Sequence, residues 1–177
     1  MPPMASSMAI ENASSSCFPS SSLTSTPGST YKYEVFISFR GSDTRKKFTS
    51  HLYKALKWNG ITTFRDDENL ERGEFIATEL LRAIKESRFA VIIFSKDYAS
   101  SSWCLTELVE IVECMDKKKL MVLPVFHDVD PSDVRKLRGT FEEAFTKHLK
   151  DNTENVQTWK AAVTKVAGIS GWDLRNE

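Results

Sequence analysis

The chain has 177 residues, enough for one ordinary domain with its own core. Its 24 basic and 24 acidic residues cancel, so no global field points to nucleic acid, and any phosphate binding must come from a local cluster. Three cysteines (Cys17, Cys104, Cys114) and three scattered histidines suggest neither a disulfide framework nor a metal site, and reduced thiols suit the cytosol.

Residues 1–30, "MPPMASSMAIENASSSCFPSSSLTSTPGST", hold ten Ser and three Thr and no Lys or Arg. Such a tract buries too little apolar surface to offset its ordering entropy, so a disordered lead-in, dispensable for folding, is expected. It has no signal-peptide core, although its Ser-rich, acid-poor makeup also admits a degenerate plastid address. The folded domain is expected over 31–177, and no stretch approaches the length needed to span a membrane.

"YEVFISF" (33–39) reads as a strand ending at Arg40-Gly41. A helix follows, starting at Ser42 or Asp43, with Phe48, Leu52, Ala55 and Leu56 inward and Gly60 as its stop. "ITTFRD" (61–66) is a short β-branched strand, and "DENLERG" is a charged loop. Phe75, Ile76, Leu80, Ala83 and Ile84 mark a second helix. "RFAVIIFS" (88–95) is continuously apolar, as expected of a strand covered on both faces.

The third helix starts at Ser101 or Ser102, with Leu105, Leu108, Val112 and Met115 inward. It would carry Cys104 and Cys114 about 15 Å apart, too far for a disulfide. "LMVLPVFHDVDP" (120–131) is a fourth strand, in which Pro124 implies a tolerated lost donor. Helical stretches follow around 131–149 and 154–168, and "GWDL" (171–174) reads as a short edge strand. This alternation predicts an α/β domain, a parallel sheet of four to five strands with helices on both faces. Ligands of such sheets sit outside the carboxyl ends of the strands, which here carry "FRGSDTR", "FRDD" and "SKDYASSSW".

Five ordered blocks carry a family resemblance: "YEVFISFRGSDTRKKFTSHLYKAL", "GITTFRDD", "LERGEFIATELLRAI", "SKDYASSSWCLTELVEI" and "VLPVFHDVDPSDVRKLRGTFEEAF". The chain resembles a plant-type Toll/interleukin receptor (TIR) domain, as found at the front of nucleotide-binding, leucine-rich-repeat immune receptors. Ser42 stands where the family often has an acid, and His127 where it often has Tyr. The resemblance implies a flavodoxin-like three-layer sandwich in a cytoplasmic, or also nuclear, setting. It implies self-association as a dimer or higher oligomer, a tetramer when active, and pairing with other TIR domains. It also implies cleavage of NAD+, taken as substrate with no cofactor, to ADP-ribose-type products that are linear or cyclic.

The family's catalytic glutamate falls on Glu107 in "WCLTEL". The bland alternative is an acid complementing a helix N-terminus, worth about 0.3–1 kcal/mol. Trp103, four residues earlier, shares its helical side and either walls a site or packs at the helix start. Arg40 and Arg45 flank the Gly41 turn and suit a pyrophosphate, or simply form a solvated surface. Phe39 stacks a ring or finishes the strand, and Ser95 and Ser101 supply hydroxyls or cap turns. Asp66 and Asp67, with Arg65 and Arg72, shape the site mouth or meet a neighbour.

Ser50 and His51 match a self-association surface of the family, and Lys160 and Ala161 face outward on the late helix, against the same surface. Adjacent helical residues diverge by about 100°, so Ser50 and His51 do not form a catalytic pair. A phospho-receiver is excluded, because Phe39-Arg40 and Ser95-Lys96 stand where its acids are needed. Neither G-x-G-x-x-G nor G-x-x-x-x-G-K-[ST] occurs, which removes dinucleotide dehydrogenases and P-loop hydrolases. The remaining rival is a module of the same fold that self-associates without catalysis. A nucleic-acid-directed cyclase draws no support from the zero net charge.

Overall fold

A computed structural model describes residues 30–65, 76–117, 119–151 and 154–175. Five strands, β1 (Tyr33–Phe39), β2 (Thr63–Phe64), β3 (Ser87–Phe94), β4 (Met121–Phe126) and β5 (Trp172–Asp173), form one sheet. Its order is β2-β1-β3-β4-β5 and every pairing is parallel. The helices are α1 (Gly41–Thr44), α2 (Phe48–Trp58), α3 (Ile76–Lys85), α4 (Ser102–Asp116), α5 (Pro131–Arg135), α6 (Thr140–Asp151) and α7 (Val156–Ala167). A 3-10 turn, Tyr98–Ser100, precedes α4.

The step from β1 to β2 runs one way along the sheet and every later step runs the other way. Right-handed crossovers therefore put α2 on one face and the later helices on the opposite one. The two cores follow this division. Phe36, Phe64, Ile92, Phe94 and Phe126 pack with Leu80 and Ile84 of α3, Leu105 and Leu108 of α4, and Val163 and Val166 of α7. On the other face Val35, Ile37, Phe39, Val91 and Ile93 pack with Tyr53, flanked by Phe48, Leu52 and Leu56 of α2. The strand order reverses between β1 and β3, and a crevice at such a switch point is where ligands of parallel sheets bind.

Four expectations need revision. The first predicted helix is two helices, because side chains of its opening turn are used in tertiary contacts. Asp43 accepts from the Ser95 hydroxyl and the Asp97 amide, and buried Thr44 meets Thr49 at 2.8 Å. Ala55 is exposed, and α2 instead buries Thr49 and Tyr53, one turn apart. The stretch predicted as one helix around 131–149 is broken where Leu137 and Gly139 adopt positive φ of 53° and 58°. The second strand is only Thr63–Phe64, and Phe75 lies outside the described residues.

β5 forms as expected, and its entry depends on Gly171, which lies against the Pro124 carbonyl so closely that a Cβ would collide with it. That carbonyl faces β5, so the N–H that Pro124 lacks would have pointed away from β3. The far end of β5 is held by Arg175, which donates to Asp173 at 2.9 Å and pairs with Asp130, the N-cap of α5. Both carboxyls sit below the ordinary aspartate range. For Asp130 the main cause is the Ser132 amide it accepts, helped by Arg175, and for Asp173 it is the Arg175 side chain. Depressed carboxyls contribute their stability above the ordinary aspartate value of about 3.9, and it is lost as pH falls further. Protection of the Trp172–Leu174 amides, measured against their intrinsic exchange rates, should therefore fall on acidification, whereas in Arg175→Ala it should be low already at neutral pH.

Candidate active site

α4 begins at Ser102, and its N-cap Ser101 accepts from the Cys104 amide at 3.2 Å. Ser101 is thus a cap. Glu107 is the sixth residue of the helix, and its first turn contains no acid. The macrodipole acts within that first turn, so the bland reading of Glu107 loses its physical basis. The residue is also only 7% exposed. A carboxylate so placed is costly unless it is hydrogen-bonded, and the Ser38 hydroxyl of β1 donates to its Oε2 at 3.3 Å.

Glu107 lines a cavity of about 210 Å³ between α3 and α4, with Ala77, Leu80, Leu81, Ser102, Trp103 and Thr106. Trp103 is 42% exposed, so it is a wall of this cavity and not a core residue. A mainly apolar slot with one carboxylate suits a flat ring whose attached carbon becomes positive.

The two arginines are separated by the sheet. Arg40 keeps extended backbone (φ −85°, ψ 114°), so the alternation of β1 continues through it. Phe36, Ser38 and Arg40 therefore project to the Glu107 face, while Ile37 and Phe39 project to the other. The Arg40 Nε is buried without a hydrogen-bond partner among the described residues, a donor suited to an incoming acceptor. Phe39 is buried in the α2-side core, and the Arg45 guanidinium lies 5.4 Å from its ring centroid. Gly41 leaves room for that guanidinium, since a Cβ there would come 2.6 Å from the Arg45 Nη2.

Ser95 lies outside the Glu107 cavity. Its hydroxyl donates to Asp43 at 2.5 Å, in a separate depression with Lys47, Lys96, Asp97, His127 and Asp128. Asp66, Asp67 and Arg72 fall outside the described residues, whereas Arg65 does not belong to a surface loop. It is buried, 4.6 Å from the Tyr53 ring, and its Nη1 donates to Ser50 at 3.3 Å. His51 is exposed on α2. On α7, Ala161 is exposed and the Lys160 Nζ lies 5.8 Å from the Phe145 ring. Because α2 and α7 cover opposite faces of the sheet, the Ser50-His51 and Lys160-Ala161 pairs do not share one surface of a protomer.

Sequence reasoning missed Ser38 and Tyr98. Ser38 is fully buried, contacts the Tyr98 hydroxyl at 2.9 Å and reaches Glu107. The signal was present: one serine interrupts the apolar run of β1. Burial pushes the Tyr98 hydroxyl well above the ordinary tyrosine range, with Cys104 and Glu107 adding to it and the Ser38 bond opposing. Tyr98 thus stays protonated and able to donate. Cys104 and Cys114 are buried thiols, and among the described residues no His, Cys, Asp or Glu cluster is arranged for a metal ion. No described helix is long and apolar enough to cross a membrane.

Residues 32–177 match the TIR domain family. The chain is 52% identical over 167 residues to disease resistance protein RPV1 of Vitis rotundifolia, covering 93% of this chain and 12% of that one. It is 50% identical over 150 residues to TMV resistance protein N of Nicotiana glutinosa, covering 83% and 13%. The chain therefore spans about an eighth of the length of these relatives. Among solved structures it is similar to the TIR domains of the activated Roq1 resistosome, with 58% identity and a TM-score of 0.77 over 81% of this chain and 89% of that one. The five ordered sequence blocks, the β2-β1-β3-β4-β5 sheet and these similarities lead to one conclusion: the chain belongs to the TIR domain family.

Proposed function

We propose that this chain, when self-associated, hydrolyses NAD+ to nicotinamide and an ADP-ribose-type product as a step in plant defence signalling. One observation carries the reading: Glu107 is a buried carboxylate beyond the reach of the helix dipole, held by a hydroxyl and sharing an apolar slot with Trp103. The signalling context comes from the resistance proteins to which the chain is similar.

The reaction needs one acid. The bond between the ribose anomeric carbon and the pyridinium nitrogen breaks, and its electron pair leaves with nicotinamide as a neutral base. No general acid is needed, so the two-carboxylate arrangement of ordinary glycosidases loses half its purpose. Glu107 stabilises the positive charge developing on the anomeric carbon by preorganised electrostatics. Water adds to that carbon and releases a proton. Trp103 stacks on the nicotinamide, and Arg40, on the same side of the sheet, approaches the pyrophosphate.

The cavity volume supports a requirement for assembly. About 210 Å³ is below the roughly 300–1,000 Å³ of pockets that bury a drug-sized ligand, so the slot among the described residues has room for the nicotinamide end alone. A neighbour completes the rest, consistent with similarity to TIR domains in an activated resistosome. Nicotinamide release per protein molecule should rise with protein concentration. Replacing Ser50 and His51 together with Ala should lower both self-association and release, with an unchanged circular-dichroism spectrum, because interface energy concentrates in few residues. Assembled wild-type protein that frees no nicotinamide would instead favour a non-catalytic scaffold.

A further inference from the structure

We infer that Ser38 and Tyr98 are positioning residues, holding the Glu107 carboxylate through a one-way chain of hydroxyl donors. Counting protons sets the direction. An ionised Glu107 only accepts, so the single Ser38 proton goes to its Oε2 at 3.3 Å. The 2.9 Å contact between Ser38 and Tyr98 then requires Tyr98 to be the donor, and its proton also faces the Cys104 carbonyl at 3.3 Å. Each donor polarises the next, which strengthens the bond that reaches the carboxylate.

The start of the chain is anchored from two sides. The Tyr98 ring meets Phe94 edge-on at 5.1 Å, and the His148 Nε2–H of α6 donates to the Ala99 carbonyl at 2.8 Å. The chain thus links the 3-10 turn and β1 to a single oxygen on α4, and α6 braces the turn. Charged groups on elements packed around α4 include Arg40 after β1, Glu79 paired with Arg82 on α3, Lys85 bridging to Glu110, and Lys160 and Lys165 of α7, the latter paired with Asp116. Cys104 lies on α4 itself.

The bearing of this chain on turnover rests on the NAD+ reading, but its existence does not, and the experiment separates the two. The Glu107 carboxyl of carbon-13-labelled protein, identified by its loss in Glu107→Gln, is titrated by NMR in wild type, Tyr98→Phe and Ser38→Ala. Removing a donor from a carboxylate makes it easier to protonate. The titration should therefore move to higher pH in both variants, further in Ser38→Ala, which loses the direct bond. Tyr98→Phe keeps the ring packing, so it remains informative if Ser38→Ala folds poorly. Nicotinamide release should fall about tenfold in kcat with KM nearly unchanged, and its acid limb should follow the titration. An unmoved Glu107 titration in folded Tyr98→Phe overturns the inference, even if Glu107→Gln is inactive and the NAD+ reading stands. A shifted titration supports the positioning chain even if wild-type protein releases no nicotinamide, an outcome that removes the NAD+ reading alone.

Discussion

Glu107→Gln should release nicotinamide from NAD+ at least about a hundredfold more slowly than wild type, at matched assembly state. Gln keeps the size and the ability to accept from Ser38, so packing between α3 and α4 is preserved, and the thermal midpoint should hardly move. Only the negative charge is lost, and that charge is what opposes the developing ribosyl cation. If the acid merely complemented the helix, its removal would cost at most about 1 kcal/mol of stability and leave turnover intact. Its position in the second turn, past the reach of the dipole, argues against that outcome. Near-normal turnover in Glu107→Gln would return the residue to a structural role.

The largest loss of stability is expected at Phe94. It is fully buried at the end of β3, with ring contacts to Tyr98 at 5.1 Å, Phe126 at 5.7 Å and Phe141 at 6.2 Å. Phe94→Ala opens a cavity that four elements border, and such changes cost about 3–5 kcal/mol. At roughly 2–4 °C per kcal/mol for a domain of this size, the thermal midpoint should drop by about 10 °C. The variant should also lose activity, because the ring it removes supports Tyr98. Trp58, 91% exposed at the end of α2, is the contrast. Trp58→Ala should shift stability by no more than about 0.5 kcal/mol. A thermal melt of both variants decides the point, and equal midpoints would mean that the aromatic cluster does not anchor the sheet.

The architecture was legible because it rests on local periodicity. The run "YEVFISF" is β1 residue for residue, the apolar run of β3 is displaced by one residue, and "GWDL" contains the two-residue β5. A strand covered on both faces must be apolar, and a helix covered on one must repeat every three or four residues, so both leave their mark in sequence. Where tertiary contacts override that pattern, the reading failed. Asp43 and Thr44 do lie in the short helix α1, but their side chains serve Ser95 and Thr49, and the helix divides after them.

The candidate site divides in the same way. Sequence by itself determined that an acid and an indole, four residues apart on one helix, face the same side, because helical spacing alone requires it; the structure puts both on one cavity. It also determined that this helix starts beside the strand ends, since the Ser101 cap marks the boundary. Only the tertiary structure decided what surrounds them. Arg40 and Arg45, alike in sequence and near one turn, go to opposite faces because extended backbone at Arg40 continues the alternation of β1 whereas Arg45 folds over Phe39. Ser95, promising by position, is committed to Asp43, while Ser38, unpromising inside an apolar strand, holds the carboxylate. The physical reason is separation along the chain: Ser38 and Glu107 lie 69 residues apart, and a hydrogen bond across that distance follows from how helices and sheet pack, which no local pattern encodes.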